Sequence, residues 1–398
     1  MKNSRRKPVR SVAIVAPAIA REGITKQVAN QITGLQQEGI RVCLIVLAES
    51  DVGILAEYGV SVAQLPVLQL YQPTAYLSTG AFVNAIRLVG RIEKFLEEHK
   101  IAGVVAHAPY THFVMRLVKL TGYKFLLVQY FHGLQYSEYP VTTWRRRMVN
   151  DLNRWLGRRF DNCHISVSEA VKQEIMTNLF RHQEHKVIYN SLPVSFWNDK
   201  AEEHWQQVRQ VIRSVAGRYL VLIPNRIDYN KGQLFFLQVL GNFLHTSGGA
   251  FADIAVFVVG DGPQRRELEL QVQSMGLSDI VKITGALPNA VVQKFMLEVQ
   301  LVVVPSYCEG FSLSALEAIS SKCLLLASDT GGLKEVVRDG DTGFLFRTGD
   351  KKDCLEKLTY LYHNRHKVLL NYQLMEDDLK NKFSVKRHIN QLLEVLEV

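Results

Sequence analysis

Short runs that are apolar on both faces alternate with longer stretches of helical period along almost the whole chain, and this alternation restricts it to an α/β architecture. Ile254–Val259 reads IAVFVV and Leu301–Val304 reads LVVV. A strand with one wet face alternates polar and apolar residues. One that is apolar on both faces is covered on both, as in a parallel sheet flanked by helices. In the first half, residues 11–16, 41–47, 101–107, 124–131, 163–167 and 186–189 have this character. Helical stretches lie between them at residues 26–37, 81–98, 111–120, 142–156 and 169–178. The rhythm pauses at Asn190-Ser-Leu-Pro193 and a polar helical stretch over 199–214. It then resumes with strands at 219–224, 254–259, 280–283, 301–304 and 324–327. Two Rossmann-like halves follow from this pattern, with ligands expected at the carboxyl ends of strands.

A length of 398 residues also favours two domains, because single cores rarely grow past roughly 250–300 residues. The boundaries expected are 1–190 for the first domain and 191–383 for a linker and second domain. A last helix over 384–398 carries Ile389, Leu392, Leu393 and Leu396 on one side. No apolar run approaches the ~18 residues that span a bilayer, and 11–16 is too short for a signal-peptide core. Five dispersed cysteines without a C-x-x-C pair argue for reduced thiols in a cytoplasmic setting. The histidines show no metal-ligand spacing.

The net charge of +9 is uneven: residues 1–190 carry +10 and the remainder −1. The densest basic stretch runs from Trp144-Arg-Arg-Arg147 to Arg158-Arg159. On a helix it mixes aromatic and aliphatic residues with arginines, which suits an anionic membrane surface or ligand and equally a solvated helix with extended arginines. No nucleic-acid recognition motif accompanies the charge.

Several strand ends carry residues fit for chemistry. Arg226 and Lys231, in Asn225-Arg-Ile-Asp-Tyr-Asn-Lys-Gly232, offer a planar fork and a point charge to a diphosphate; as a bare pattern they also fit a surface loop. Val259-Gly-Asp-Gly262 lacks the third glycine of a dinucleotide fingerprint. Thr284-Gly285-Ala286-Leu287 is a tight loop after a strand. Glu309-Gly310-Phe311-Ser312-Leu313 leads into a helix whose first N–H groups attract anions. Glu309 has no evident structural duty, whereas Glu317 fits a capping box begun at Ser314. In the first half, His132 ends an apolar strand and could donate to a sugar hydroxyl or simply be satisfied locally. Gly23 could admit a ligand to backbone N–H groups or merely turn the chain.

Taken in order, N-R-I-D-Y-N-K-G, V-V-G-D-G-P, I-T-G-A-L-P, P-S-Y-C-E-G-F-S-L-S-A-L-E-A-I and D-G-D-T-G-F resemble the retaining glycosyltransferase family 4 (glycosyl transferases group 1). The first half is similar more loosely, through Gly23, His132-Gly133 and Val167-Ser168-Glu169; where the family often has two glycines, this chain has Glu22-Gly23. The resemblance implies a GT-B fold, with two Rossmann-like domains facing across a deep cleft and the C-terminal helix packing back on the N-terminal domain. It also implies an acceptor-binding first domain and a nucleotide-sugar-binding second domain.

Arg226 and Lys231 would then neutralise the departing diphosphate, together with amides around Phe311–Leu313. Glu309 would hold donor-sugar hydroxyls and Glu317 the ribose; Gly285, Ala286 and Leu287 would line the base. His132 would contact the transferred sugar. The reaction so implied is retaining hexosyl transfer from a nucleotide-diphosphate sugar, UDP first among carriers, with no metal and no cofactor. The acceptor would be a saccharide, lipid-linked, in cell-surface polysaccharide or lipopolysaccharide assembly, with the basic first domain on the inner membrane face. A GT-B nucleotide-sugar epimerase and a catalytically silent GT-B binding subunit are the alternatives.

Overall fold

The computed structural model describes residues 9–71, 79–179, 184–192, 199–246 and 253–397. The basic residues Lys2, Arg5, Arg6 and Lys7, Pro193 at the end of the expected turn, and part of the linker lie outside them. The chain divides into two compact units, residues 1–194 with 382–398, and residues 195–381.

The first unit holds a seven-stranded parallel sheet: β1 (Ser11–Ala16), β2 (Arg41–Val46), β3 (Val67–Gln69), β4 (Gly103–His107), β5 (Leu126–Phe131), β6 (Cys163–Ser166) and β7 (His185–Val187). The strand order is β3-β2-β1-β4-β5-β6-β7. Every residue of β1 and β4 is buried, as their apolar composition on both faces requires. The chain runs outward from β1 to β3, then returns to place β4 beside β1. That reversal puts the switch point of the sheet between the loops that leave β1 and β4.

Two polar ties hold the end of this unit to its first helix, Gly23–Gln37. The buried amide of Gln27 donates to the Ser191 carbonyl at 2.8 Å, and Asn30 Nδ2 donates to Ser191 Oγ at 2.9 Å. The C-terminal helix, Val385–Leu396, is capped by Ser384, whose hydroxyl accepts from the Arg387 N–H. It packs on the Gly23–Gln37 helix at Gly34, where a Cβ would stand 2.4 Å from Ile389 Cγ1. Glycine is what lets these two helices approach so closely. Ile389, Leu392, Val395 and Leu396 are buried there.

The second unit holds β8 (Tyr219–Pro224), β9 (Ile254–Val259), β10 (Val281–Gly285), β11 (Leu301–Val304), β12 (Leu324–Ser328) and β13 (Phe344–Phe346). All are parallel, in the order β10-β9-β8-β11-β12-β13. The switch point falls between β8 and β11. Two strands, β3 and β13, are absent from the sequence expectation. Each is a three-residue edge strand with a single neighbour, half-buried along β3 and at Phe344 and Leu345 of β13, too short to show a periodicity. Among the described residues no helix is long and apolar enough to cross a membrane.

Candidate functional site

The loops leaving β8, β9, β10 and β11 interlock, and glycines make this possible. Gly232 has φ +69°, and a Cβ there would lie 2.0 Å from the Pro305 carbonyl oxygen. Only glycine allows the Arg226–Gly232 loop to lie against the loop after β11. The Tyr307 N–H donates to the Asn230 carbonyl at 2.8 Å across the same contact. Gly260 (φ +149°) similarly admits Asn225 O, to which a Cβ would come within 2.1 Å, and its own N–H donates to Gly285 O at 2.9 Å. Gly285, the last residue of β10, has φ +80° and a shift in strand register beside it. The weak V-G-D-G-P and I-T-G-A-L-P signals are therefore parts of one loop cluster around the switch point.

Within this cluster Lys231 Nζ lies 2.8 Å from Glu309 Oε2, and the same oxygen accepts from Ser306 Oγ at 3.1 Å. Glu309 is 7% exposed, so it does have a local partner, contrary to its lack of evident duty in the sequence. Pairing lowers the cost of holding its charge away from water. Arg226, exposed, reaches Asp228 at 3.3 Å. Gly310, Phe311, Ser312 and Leu313 are buried in the turn into the helix Leu313–Ser320. The first N–H groups of a helix have no intrahelical acceptor, and Ser312 Oγ takes the one of Ala315 at 3.2 Å.

The N-cap is thus Ser312, not Ser314, and the capping box that Ser314 and Glu317 would have fitted does not form. Ser314 is already inside the helix, where its hydroxyl donates to the Pro224 carbonyl at 2.6 Å. Glu317 consequently lies beyond the first turn, 2% exposed. Ala286 is exposed and Leu287 half-buried just past β10. Between the β8 and β11 loops, the exposed ring of Tyr229 stacks on Tyr307 with centroids 5.4 Å apart; no motif in the sequence drew attention to this aromatic pair.

The two site residues expected in the first unit stand in the connections that leave different strands. Gly23 is the first residue of its helix and exposed, with Glu22 at the N-cap position. An acid there itself complements the positive end of the helix, which makes this start a poorer anion seat than that of Leu313–Ser320. His132 follows β5, with β4 lying between β5 and β1. Its Nε2 is 2.7 Å from His107 Nδ1, and its ring stacks with Tyr130 at 4.9 Å. Burial, then the nearby His388 ring, pulls the His132 pKa down to about 3. His107 and His112 are held well below the usual histidine value, chiefly by burial. No sequence signal marks His107, since a lone histidine at the end of an apolar strand carries no spacing pattern. Among the described residues no group of three or more His, Cys, Asp or Glu side chains is placed to hold a metal ion.

Two parallel sheets of this order, each with its switch point at the strand carboxyl ends, define the GT-B fold. The likeness extends to solved structures: Anabaena HepE in complex with UDP and glucose superposes with a TM-score of 0.77 over 98% of this chain and 99% of that one, at 20% identity. The model of glycosyl transferases group 1 matches residues 206–375 and that of glycosyltransferase family 4 matches residues 21–196. The chain belongs to glycosyltransferase family 4. Among characterised relatives it is 25% identical over 240 residues to the alpha-D-kanosaminyltransferase of Streptomyces kanamyceticus, a match covering 58% of this chain and 61% of that protein. It is 27% identical over 219 residues to a lipopolysaccharide core biosynthesis mannosyltransferase of Rhizobium leguminosarum, covering 52% and 56%. The matched stretch is thus less than two thirds of either relative.

Proposed function

We propose that this protein is a retaining, metal-independent hexosyltransferase that takes its sugar from a nucleotide-diphosphate donor, UDP-linked, and transfers it to a saccharide acceptor. The observation that carries the reading is the loop cluster at the β8–β11 switch point, where the Lys231–Glu309 pair and the start of the Leu313–Ser320 helix lie on interlocked loops. Cleavage of the anomeric C–O bond leaves an electron-poor sugar and places new negative charge on the diphosphate. Arg226, Lys231 and the helix-start amides stabilise that charge in place of a metal ion. Glu309 accepts hydrogen bonds from donor-sugar hydroxyls, Glu317 from the ribose, and Gly285–Leu287 line the base. His132 contacts the transferred sugar. The leaving phosphate accepts the acceptor proton on the same face, which gives retention. The UDP complex of the structural relative supports the choice of carrier.

The test is thermal stabilisation by UDP, GDP, ADP and their sugars, because a ligand that binds only the native state raises its melting temperature. UDP and a UDP-hexose are expected to give the largest rise, followed by transfer to an acceptor with the anomeric configuration kept. No shift with any nucleotide overturns the assignment.

The acceptor is lipid-linked in this proposal, and the helix Trp144–Phe160 docks the first unit on an anionic membrane. Trp144, Met148, Leu152 and Trp155 are 66%, 62%, 37% and 59% exposed. Their spacing places them on one stripe, and Arg145, Arg147, Arg158 and Arg159 are exposed around it. Apolar side chains that enter the lipid boundary beside arginines that meet headgroups are the signature of an interfacial helix. The lipopolysaccharide relative supports such an acceptor. Co-sedimentation should favour anionic over neutral vesicles, weaken in high salt, and drop in a Trp144→Ala, Trp155→Ala variant. Equal binding to both vesicle types sinks the docking.

A further inference from the structure

We propose that His107 is a positioning residue that fixes the tautomer of His132, so that His132 presents a neutral Nδ1–H as its donor. Only the functional consequence rests on the glycosyl-transfer reading; the tautomer does not.

The 2.7 Å contact joins His107 Nδ1 and His132 Nε2, so one nitrogen carries the proton and the other accepts it. The far nitrogen of His107, Nε2, is buried and has no hydrogen-bond partner among the described residues. If His132 donated, neutral His107 would carry its proton on Nε2, leaving a buried N–H orphaned. If His107 donates, only a lone pair is left unmet. Among backbone groups, buried N–H donors are left orphaned more rarely than acceptors, and the same asymmetry favours leaving the lone pair of His107 Nε2 unmet. His107 therefore donates from Nδ1, His132 accepts at Nε2, and the His132 proton sits on Nδ1. Which ring nitrogen is protonated follows from the bond made by the other.

The backbone beside His107 is strained in a way that holds it there. Ala108 has φ +75° and ψ 155°, a region occupied almost only by glycine and costly for other residues. Thr111 Oγ1 donates to the carbonyls of His107 (2.5 Å) and Ala108 (2.8 Å), and the His112 N–H donates to Ala108 O at 3.2 Å. Strain kept at the switch point of the first sheet, one residue from the His107 ring, marks a conformation held for a purpose other than stability. The ring that, after burial, depresses the His132 pKa belongs to His388 on the C-terminal helix. His388 is engaged elsewhere, through Nδ1 to the Tyr189 carbonyl at 3.0 Å and Nε2 to Gln31 at 3.2 Å. The Tyr130 hydroxyl donates to Ile188 O at 3.1 Å. Among the described residues, His107 makes the hydrogen bond that orients His132.

The decisive measurement is a long-range 15N–1H correlation spectrum of the histidine side chains in the full chain, with the His132 signal assigned by its loss in His132→Ala. His132 should show a protonated Nδ1 and an unprotonated Nε2 at pH 7.5. A protonated Nε2 overturns the proposal whether or not any nucleotide sugar is turned over. Kinetically, His107→Leu should lower kcat by ~10- to 100-fold through misplacement of one contact, and His107→Gln, which can still donate, should recover part of it. In a His132→Ala background His107→Leu should cost nothing further. An equal loss in both backgrounds, with folding intact by thermal melting, reduces His107 to a packing residue and overturns the positioning role.

Discussion

The two sheets share the order of their first six strands and load the strand ends at and beside their switch points with opposite chemistry. Around β8 and β11 the side chains are ionic: Lys231 with Glu309, Arg226 with Asp228, and a helix start. Around β4 and β5 they are neutral imidazoles, kept uncharged by burial and joined to one another and to backbone carbonyls. A transferred charge needs fixed ions where it develops, whereas an electron-poor sugar is repelled by cations and tolerates neutral donors. Under the proposed reaction, each unit then supplies the kind of group that its share of glycosyl transfer from a diphosphate would call for.

The contrast breaks most sharply at its ionic end. Lys231→Ala should reduce nucleotide-sugar turnover by roughly 100- to 1000-fold, measured as initial rates. His132→Ala should cost roughly 10- to 100-fold, because neutral hydrogen bonds contribute about half of what charge-assisted ones do. A larger loss at His132 than at Lys231 would reverse the assignment of the two sites.

Backbone strain offers a second comparison. Gly232→Ala places a Cβ 2.0 Å from Pro305 O at positive φ and should destabilise the second unit by about 3 kcal/mol or more, read from urea denaturation. A change below about 1 kcal/mol would mean that the two loops separate at little cost.

The neutral site should show in the pH dependence of stability. His388, 2% exposed, has its pKa pulled down to about 4 by burial, below the ordinary value near 6.5. The unfolded chain therefore binds protons before the native state does as pH falls. This contribution is fully present above pH ~6.5 and declines towards pH ~4, at up to ~1.4 kcal/mol per pH unit. His388→Gln should flatten that window. Below it the loss belongs to carboxylates such as Asp161, which Arg116 and His164 hold low against the opposing effect of burial. An unchanged slope between pH 4 and 6.5 would show that His388 titrates normally.

The smallest effect is expected at Ala108→Gly. Relief of about 1–3 kcal/mol of strain, set against roughly 0.5–1 kcal/mol of added unfolded-chain freedom, should leave a net gain of about 1 kcal/mol, read as a higher melting temperature. A loss of stability would contradict the strain.

Much of the fold was legible because its signal is local. Runs such as IAVFVV can only be doubly covered strands, and the central strands stand within a few residues of where the composition places them. The ends blurred where a strand is three residues long. At the candidate site, Arg226, Lys231 and Glu309 were legible as charged residues at strand ends, but their pairing was not, because 78 positions separate Lys231 from Glu309. The capping-box alternative for Glu317, which Ser-x-x-Glu from Ser314 suggests locally, does not form. The chain uses Ser312, which frees the Ser314 hydroxyl for the Pro224 carbonyl.

By itself the sequence determined the α/β class, the family and which residue types stand at the strand ends, since these follow from periodicity and short motifs. Tertiary structure alone decided that the β8 and β11 loops lie side by side, that Gly232 and Gly260 must be glycine, and that His107 holds His132. Each of these depends on strand order in a sheet, which brings together residues whose separation along the chain carries no pattern.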